Sequence, residues 1–196
     1  LEFCQHKFSL PELYRALFSR ASTNLFGSPI LKISFCGGFV SKYQVVVAGN
    51  IGVGKTSLTE RIGSRLGWWT GYESVVDNPY LADFYSDMRS WSFHLQVFFL
   101  GHRADQYLEA ARDSRSAILD RSIYEDFHIF ARALHHMGDF AERDYLAYRR
   151  LFDLVVNSVP RPNLLIYLKA PVNVLMDRIR RRARGMESGI TPEYLS

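Results

Sequence analysis

The stretch "VAGNIGVGKT", Val47 to Thr56, decides the fold through what flanks it. Before it, "YQVV" belongs to the same β-branched run, which reads as a buried strand; after it, "SLTERIGSRLG" has helical periodicity up to Gly67. Gly49 to Thr56 match GxxxxGK followed by Ser or Thr at every fixed position, and a strand before and a helix after are the setting of a true phosphate loop. The glycines let the backbone of Gly49, Asn50, Ile51, Gly52, Val53, Gly54, Lys55, Thr56 and Ser57 turn its N–H groups inward around phosphate oxygens. Lys55 adds a mobile positive charge, and the Thr56 hydroxyl can ligate Mg²⁺. The loop alone predicts nucleotide binding. It does not separate a kinase from a GTPase or a motor.

Outward from the loop the pattern stays regular. "YESVV" (72–76) reads as a second short strand, and Asp77-Asn78-Pro79 breaks the chain ahead of a helix. From Trp91 to Asp113 apolar residues recur at helical spacing, "SAILD" (116–120) is a third strand, and two helical segments follow, the first closed by Gly138. "NLLIYLK" (163–169) is the fourth strand, and Pro171 opens a last helix. Apolar strands alternating with helices predict an α/β fold, a parallel sheet covered on both faces.

The bulk numbers fit one well-buried domain. The chain has 196 residues, 47% hydrophobic and 22% charged, and no apolar run near the roughly 18 residues of a spanning helix. Membrane insertion is therefore not expected. The formal charge of +4 has a local source in Arg178, Arg180, Arg181, Arg182 and Arg184, a cluster suited to a compact polyanion and not to a long nucleic-acid duplex. Cys4 and Cys36 show neither metal-ligand nor disulfide-framework spacing, which fits a reducing, intracellular setting. His94, His102, His135 and His136 suit core or surface roles better than a metal site.

Three further motifs bear on the acceptor. Glu73 stands in "YESVVDNPYLADFY", where the second strand leaves the sheet, a place where a carboxylate is commonly just solvated. In "FHLQVFFLGHR", Gln96 and Arg103 lie two turns apart on one helix face, where such a pair is more often a surface stripe or a capped core polar group. "DRSIYED" places Asp120 and Arg121 at the carboxyl end of a parallel strand, where open α/β sheets bind ligands, although a structural ion pair would look the same.

Taken in order, the phosphate loop, "DNPYLADFY", "FHLQVFFLGHR", "DRSIYEDFHIFA" and the arginine-rich helix resemble the deoxyribonucleoside kinase family, in particular its bacterial deoxyadenosine, deoxyguanosine and deoxycytidine kinases. The resemblance runs from about Tyr43 to Ser196 and departs at Ser74, where Pro is common, and at the chain's end. It implies ATP and Mg²⁺ as cofactors and transfer of the γ-phosphate to the 5′-hydroxyl of a deoxynucleoside, in nucleotide salvage. Glu73 would be the general base, Arg121 would hold that carboxylate and the phosphates in line, and Asp120 with Thr56 would organise Mg²⁺. Gln96 would pair with the base edge, Arg103 and Asp126 would read its substituents, and Tyr85 and Glu187 would bind the 3′-hydroxyl. Arg178, Arg182 and Arg184 would be the lid arginines over the transferring phosphoryl group. The resemblance also implies a homodimer built from the long helices, and a P-loop kinase fold with strand order 2-3-1-4.

Residues 43–196 are thus expected to form the kinase domain, with the family's fifth strand missing at the C-terminus, the fourth strand's edge unprotected, and weak ATP binding or poor folding as the result. Residues 1–42 read as an irregular extension, either a transit segment or a cloning or gene-model artefact, so the expected location is cytoplasmic, or mitochondrial if they target the chain. Two other readings stand beside this one. A thymidylate-type nucleoside monophosphate kinase shares the loop, the "DR" and the arginine lid but needs extra cations for its acceptor's phosphate, and a non-catalytic relative typically lacks the loop lysine or the base.

Overall fold

The computed structural model describes residues 31–35, 42–72 and 78–182. Glu73, Arg184 and Glu187, and the 73–76 part of the expected second strand, lie outside the described residues.

The sheet is built around β2 (Gln44–Gly49), every residue of which is buried. On one side β2 pairs in parallel with β4 (Ala117–Asp120), which pairs in parallel with β3 (Trp69–Gly71). On the other side it pairs in parallel with β5 (Leu164–Leu168). The four parallel strands, counted along the chain, have the expected order 2-3-1-4. A fifth strand, β1 (Leu31–Phe35), runs antiparallel along the outer edge of β5, with Leu31 opposite Leu168 and Phe35 opposite Leu164. The edge expected to be unprotected is therefore covered, and by a segment in which the sequence shows no sustained period. Its strand state comes from hydrogen-bonding groups that β5 leaves free, which a hydrophobic pattern does not register.

The second strand also differs from its expected position, ending where it was expected to begin. Helix α1 (Lys55–Leu66) stops at Gly67, whose φ of 65° and N–H bond to the Gly63 carbonyl turn the chain tightly, so the strand starts two residues later at Trp69. A side chain at Gly63 would run into Thr70, so α1 lies directly on β3 at that point.

The β2 valines alternate as the strand period demands. Val45 and Val47 point with Ile118 and Ile166 toward Leu58 and Ile62 of α1. Val46 faces the other way, with Leu119 and Leu165, into a larger core that holds Tyr107, Ile123, Phe127, Tyr148 and Phe152. Each such buried side chain contributes on the order of 1.5–3 kcal/mol.

Helices α2 (Leu81–Ser86) and α3 (Met88–Arg112) are separated at Asp87, whose carboxylate accepts the Ser90 N–H and caps α3. After β4, α4 (Ile123–Glu125) passes into a π-helical segment, Asp126–Ala131, and then into α5 (Arg132–Met137), closed by Gly138 at φ 82°. Helices α6 (Glu142–Ser158) and α7 (Val172–Arg182) complete the described chain, and α7 is held beneath the phosphate loop by Val53, Leu175 and Ile179. Among the described residues no helix is long and apolar enough to cross a membrane.

Candidate active site

The phosphate loop joins the carboxyl end of β2 to α1 through Gly49, Gly52 and Gly54, all at positive φ. At Gly49 a side chain would collide with the Leu168 carbonyl of β5, so glycine is required by both space and backbone. No side chain caps the N-terminus of α1, and Gly54, Thr56 and Ser57 are exposed there, which leaves the first-turn N–H groups open to an anion. The buried Lys55 ammonium donates to the carbonyls of Gly49 (2.7 Å) and Asn50 (3.1 Å), and Asn50 Oδ1 accepts the Ile51 N–H (2.8 Å). Arg178, on α7, donates to the Val53 carbonyl at 2.8 Å and so brings the last helix to the loop; like Arg180 and Arg182 it is otherwise exposed.

Asp120 and Arg121 emerge at the carboxyl end of β4, beside the loop. The Thr56 hydroxyl donates to Asp120 Oδ2 at 2.5 Å, while Asp120 Oδ1 is buried with no hydrogen-bond partner among the described residues. One hydroxyl and one carboxylate with a spare oxygen suit Mg²⁺, which takes few protein ligands and keeps its other positions for water and phosphate. Arg121 is the one described non-glycine residue at positive φ (79°), with its N–H bonded to the Val47 carbonyl and its guanidinium 4.5 Å from the centre of the Phe130 ring. Such backbone strain costs on the order of 1–3 kcal/mol and persists where surrounding structure enforces it. Here β2 and α4 enforce it from either side.

Glu125, which the sequence reading passed over, contributes to that enforcement. It is fully buried, its carboxylate accepts the N–H of Gly49 (3.2 Å) and of Ser122 (3.3 Å), and with Ser122 it forms a capping box. Burial raises its pKa, against the opposing pull of the neighbouring Arg121 and Lys55 charges. The Ser-x-x-Glu spacing in "SIYE" was the available signal.

The residues expected to read the acceptor, Gln96, Arg103 and Asp126, sit on α3 and at the start of the π segment. Arg103 is fully buried: its Nε donates to Asp126 Oδ2 (3.1 Å), and its Nη1 donates to Gln106 Oε1 (3.2 Å) and to the Asp120 carbonyl (3.2 Å). Gln96, two turns earlier on the same face, is buried with its Oε1 lacking a hydrogen-bond partner among the described residues. Gln106 was also missed, although it continues the polar line of Gln96 and Arg103 at the helical repeat. Tyr85 stands apart from this buried group, half-exposed on α2 with its ring edge against Phe84.

A phosphate loop after the first strand of a parallel sheet, with a strand-end Asp-Arg pair beside it and a buried polar helix face, defines a P-loop phosphotransferase. The deoxynucleoside kinase family model matches residues 45–196. The chain is 40% identical over 152 residues to the deoxyadenosine/deoxycytidine kinase of Bacillus subtilis, covering 76% of this chain and 70% of that protein. It is 37% identical over 172 residues to the deoxyadenosine kinase of Dictyostelium discoideum, covering 86% and 70%. Among solved structures, deoxyadenosine kinase from M. mycoides with bound dATP superposes with a TM-score of 0.67 at 28% identity, covering 78% of each chain. The same enzyme with the products dCMP and a flexible dCDP gives 0.67 at 27% identity, covering 78% of this chain and 77% of that one. The chain belongs to the deoxynucleoside kinase family, enzymes that phosphorylate deoxynucleosides.

Proposed function

We propose that this chain, residues 43–196 forming its kinase domain, moves the γ-phosphoryl group of Mg·ATP to the 5′-hydroxyl of a deoxynucleoside. The observation that supports this best is the double use of Asp120: its side chain meets Thr56 of the donor loop, and its carbonyl meets Arg103 of the acceptor face. One residue thus fixes the distance between the two substrates, as in-line transfer requires.

In this reading the N–H groups from Gly49 to Ser57 and the end of α1 hold the phosphates of ATP. Lys55 exchanges the carbonyls of Gly49 and Asn50 for phosphate oxygens, and Arg178, Arg182 and Arg184 close over the transferring group. Thr56 and Asp120 hold Mg²⁺, which when bound neutralises charge on the phosphates. Glu73 takes the proton of the 5′-hydroxyl, and Arg121 orients that carboxylate. The Gln96 oxygen, which has no hydrogen-bond partner among the described residues, accepts from the base, which favours bases with an exocyclic amino group, while Arg103 and Asp126 read neighbouring substituents. Tyr85 and Glu187 hold the 3′-hydroxyl. An uncharged acceptor suits Gln96, Arg103 and Asp126 better than a nucleoside monophosphate does, and Glu73 would repel a second phosphate. A homodimer, a place in nucleotide salvage, and a cytoplasmic or mitochondrial location belong to the same proposal.

The test is a coupled phosphorylation assay offering deoxyadenosine, deoxyguanosine, deoxycytidine, thymidine and their monophosphates, with Glu73→Gln and Lys55→Met alongside. The expected result is turnover of nucleosides but not monophosphates, a requirement for Mg²⁺, and a loss of about 10²–10⁴-fold in kcat for Glu73→Gln. Undiminished activity of Glu73→Gln would remove the base, and phosphorylation of monophosphates alone would replace the reading with the thymidylate-type one.

A further inference from the structure

Gln106 lies a turn beyond Arg103 on α3 and is buried against β3 and the acceptor pair. Its side-chain amide is used at both ends: Oε1 accepts from Arg103 Nη1 (3.2 Å), and Nε2 donates to the main-chain carbonyl of Tyr72. The two partners fix the amide's orientation, since the reverse would set oxygen against carbonyl and N–H against guanidinium. Tyr72 directly precedes Glu73 in the chain, so the held carbonyl belongs to the peptide unit that leads into the proposed base. The His102 ring nitrogen reaches the same carbonyl only at 3.4 Å and from an exposed position, and so is the weaker hold.

We infer that Gln106 is a positioning residue that couples acceptor recognition to the base: through it, the Arg103–Asp126 pair holds the Tyr72 carbonyl at the end of β3, one peptide unit ahead of the proposed base. The path is continuous from Asp126 to Arg103 to Gln106 to the Tyr72 carbonyl, and Arg103 also holds the Asp120 carbonyl. The Tyr72 carbonyl and the Thr56–Asp120 pair are thereby referred to one buried guanidinium. A displacement of about 1 Å at a reacting group costs on the order of a hundredfold in rate. This inference rests on the reading of Glu73 as base.

Two variants separate the parts of the coupling. Gln106→Leu removes both hydrogen bonds, whereas Gln106→Glu keeps an acceptor for Arg103 and takes the donor away from Tyr72. The assay is steady-state phosphorylation of the preferred deoxynucleoside across pH, with ATP affinity and thermal melting as controls on folding. The expected result is a fall in kcat of ten- to a hundredfold in both variants, with KM for ATP changed less than threefold, and a shifted pH limb in Gln106→Glu. If Gln106→Glu keeps the parental kcat and pH profile, the Tyr72 tether is refuted and only support of Arg103 remains. Should Gln106→Leu fail to fold, Gln106→Glu alone decides. Glu73→Gln is run beside them: full activity there sinks the base reading itself, whereas an inactive Glu73→Gln with an unaffected Gln106→Glu sinks only the coupling.

Discussion

Replacing Arg103 with Met tests whether the acceptor face is held by a buried ion pair. Methionine keeps most of the apolar stem, so what is lost is the guanidinium and its bonds to Asp126, Gln106 and the Asp120 carbonyl. Both members are withdrawn from water, with side-chain exposures of 0% for Arg103 and 5% for Asp126. Removing one partner of such a pair costs about 3–5 kcal/mol, because the remaining charge is buried without compensation. At about 2–4 °C per kcal/mol for a chain of this size, the melting temperature should fall by roughly 6–20 °C. The double variant Arg103→Met/Asp126→Leu buries no orphan charge and should be more stable than the sum of the single losses by at least about 1 kcal/mol. Urea unfolding of the four proteins measures the cycle, and phosphorylation kinetics should show that the double variant regains stability but not its KM for the deoxynucleoside. Additivity within about 0.5 kcal/mol, or a melting temperature for Arg103→Met within 2 °C of the parent (roughly 1 kcal/mol or less), would show that the pair is solvated and the argument wrong.

Two further outcomes follow from the donor side. Because burial raises the Glu125 pKa above its ordinary value of 4.5, the folded chain keeps that proton to higher pH than the unfolded chain does. The associated stability is complete below the unfolded value and is lost as pH rises through the folded one. Glu125→Gln, which has a fixed offset from losing one acceptor but does not titrate, should therefore gain on the parent in thermal melts as pH is raised from 4.5; a constant or shrinking difference contradicts the burial argument. At Gly52, where φ is 77°, an added Cβ would lie 3.0 Å from Ile179 Cγ1 and 3.2 Å from the Leu175 carbonyl oxygen. Gly52→Ala should cost about 1–2 kcal/mol in backbone strain alone and weaken ATP binding at least tenfold by calorimetry, whereas unaltered binding would mean the loop tolerates another path.

The parts of this fold legible in sequence are those with a strong local cause. The valines of β2, the loop glycines and the Gly67 and Gly138 helix stops each impose a conformation through their own chemistry, and all stand where the pattern placed them. The misplaced elements owe their state to distant partners. β1 is a strand because β5 offers an edge, and β3 begins at Trp69 because α1 packs its Gly63 on Thr70. In the site, Thr56 meets Asp120 and Arg103 meets Asp126, because this topology gathers the phosphate loop and the residues after β4 at one end of the sheet. Gln106 and Glu125 escaped notice because much of their work is done on main-chain groups of Tyr72, Gly49 and Ser122, so that only a helical repeat and a Ser-x-x-Glu spacing mark them in the sequence.

The π-helical segment from Asp126 to Ala131 has a bearing on how this chain can vary. A π turn is an α-helix that has taken in one residue beyond its repeat. Deleting one residue between Asp126 and Ala131 lets the helix relax to α geometry, so that Arg132–Met137 and the Gly138 turn keep their phase. Elsewhere in a helix the same deletion turns everything downstream by roughly 100°. The segment is thus a place where length change spares the architecture but re-aims Asp126 and Phe130 relative to Arg103 and Arg121. On the proposed role of Asp126, a lineage could alter which acceptor it takes by losing a single codon here, with the helices downstream left in phase.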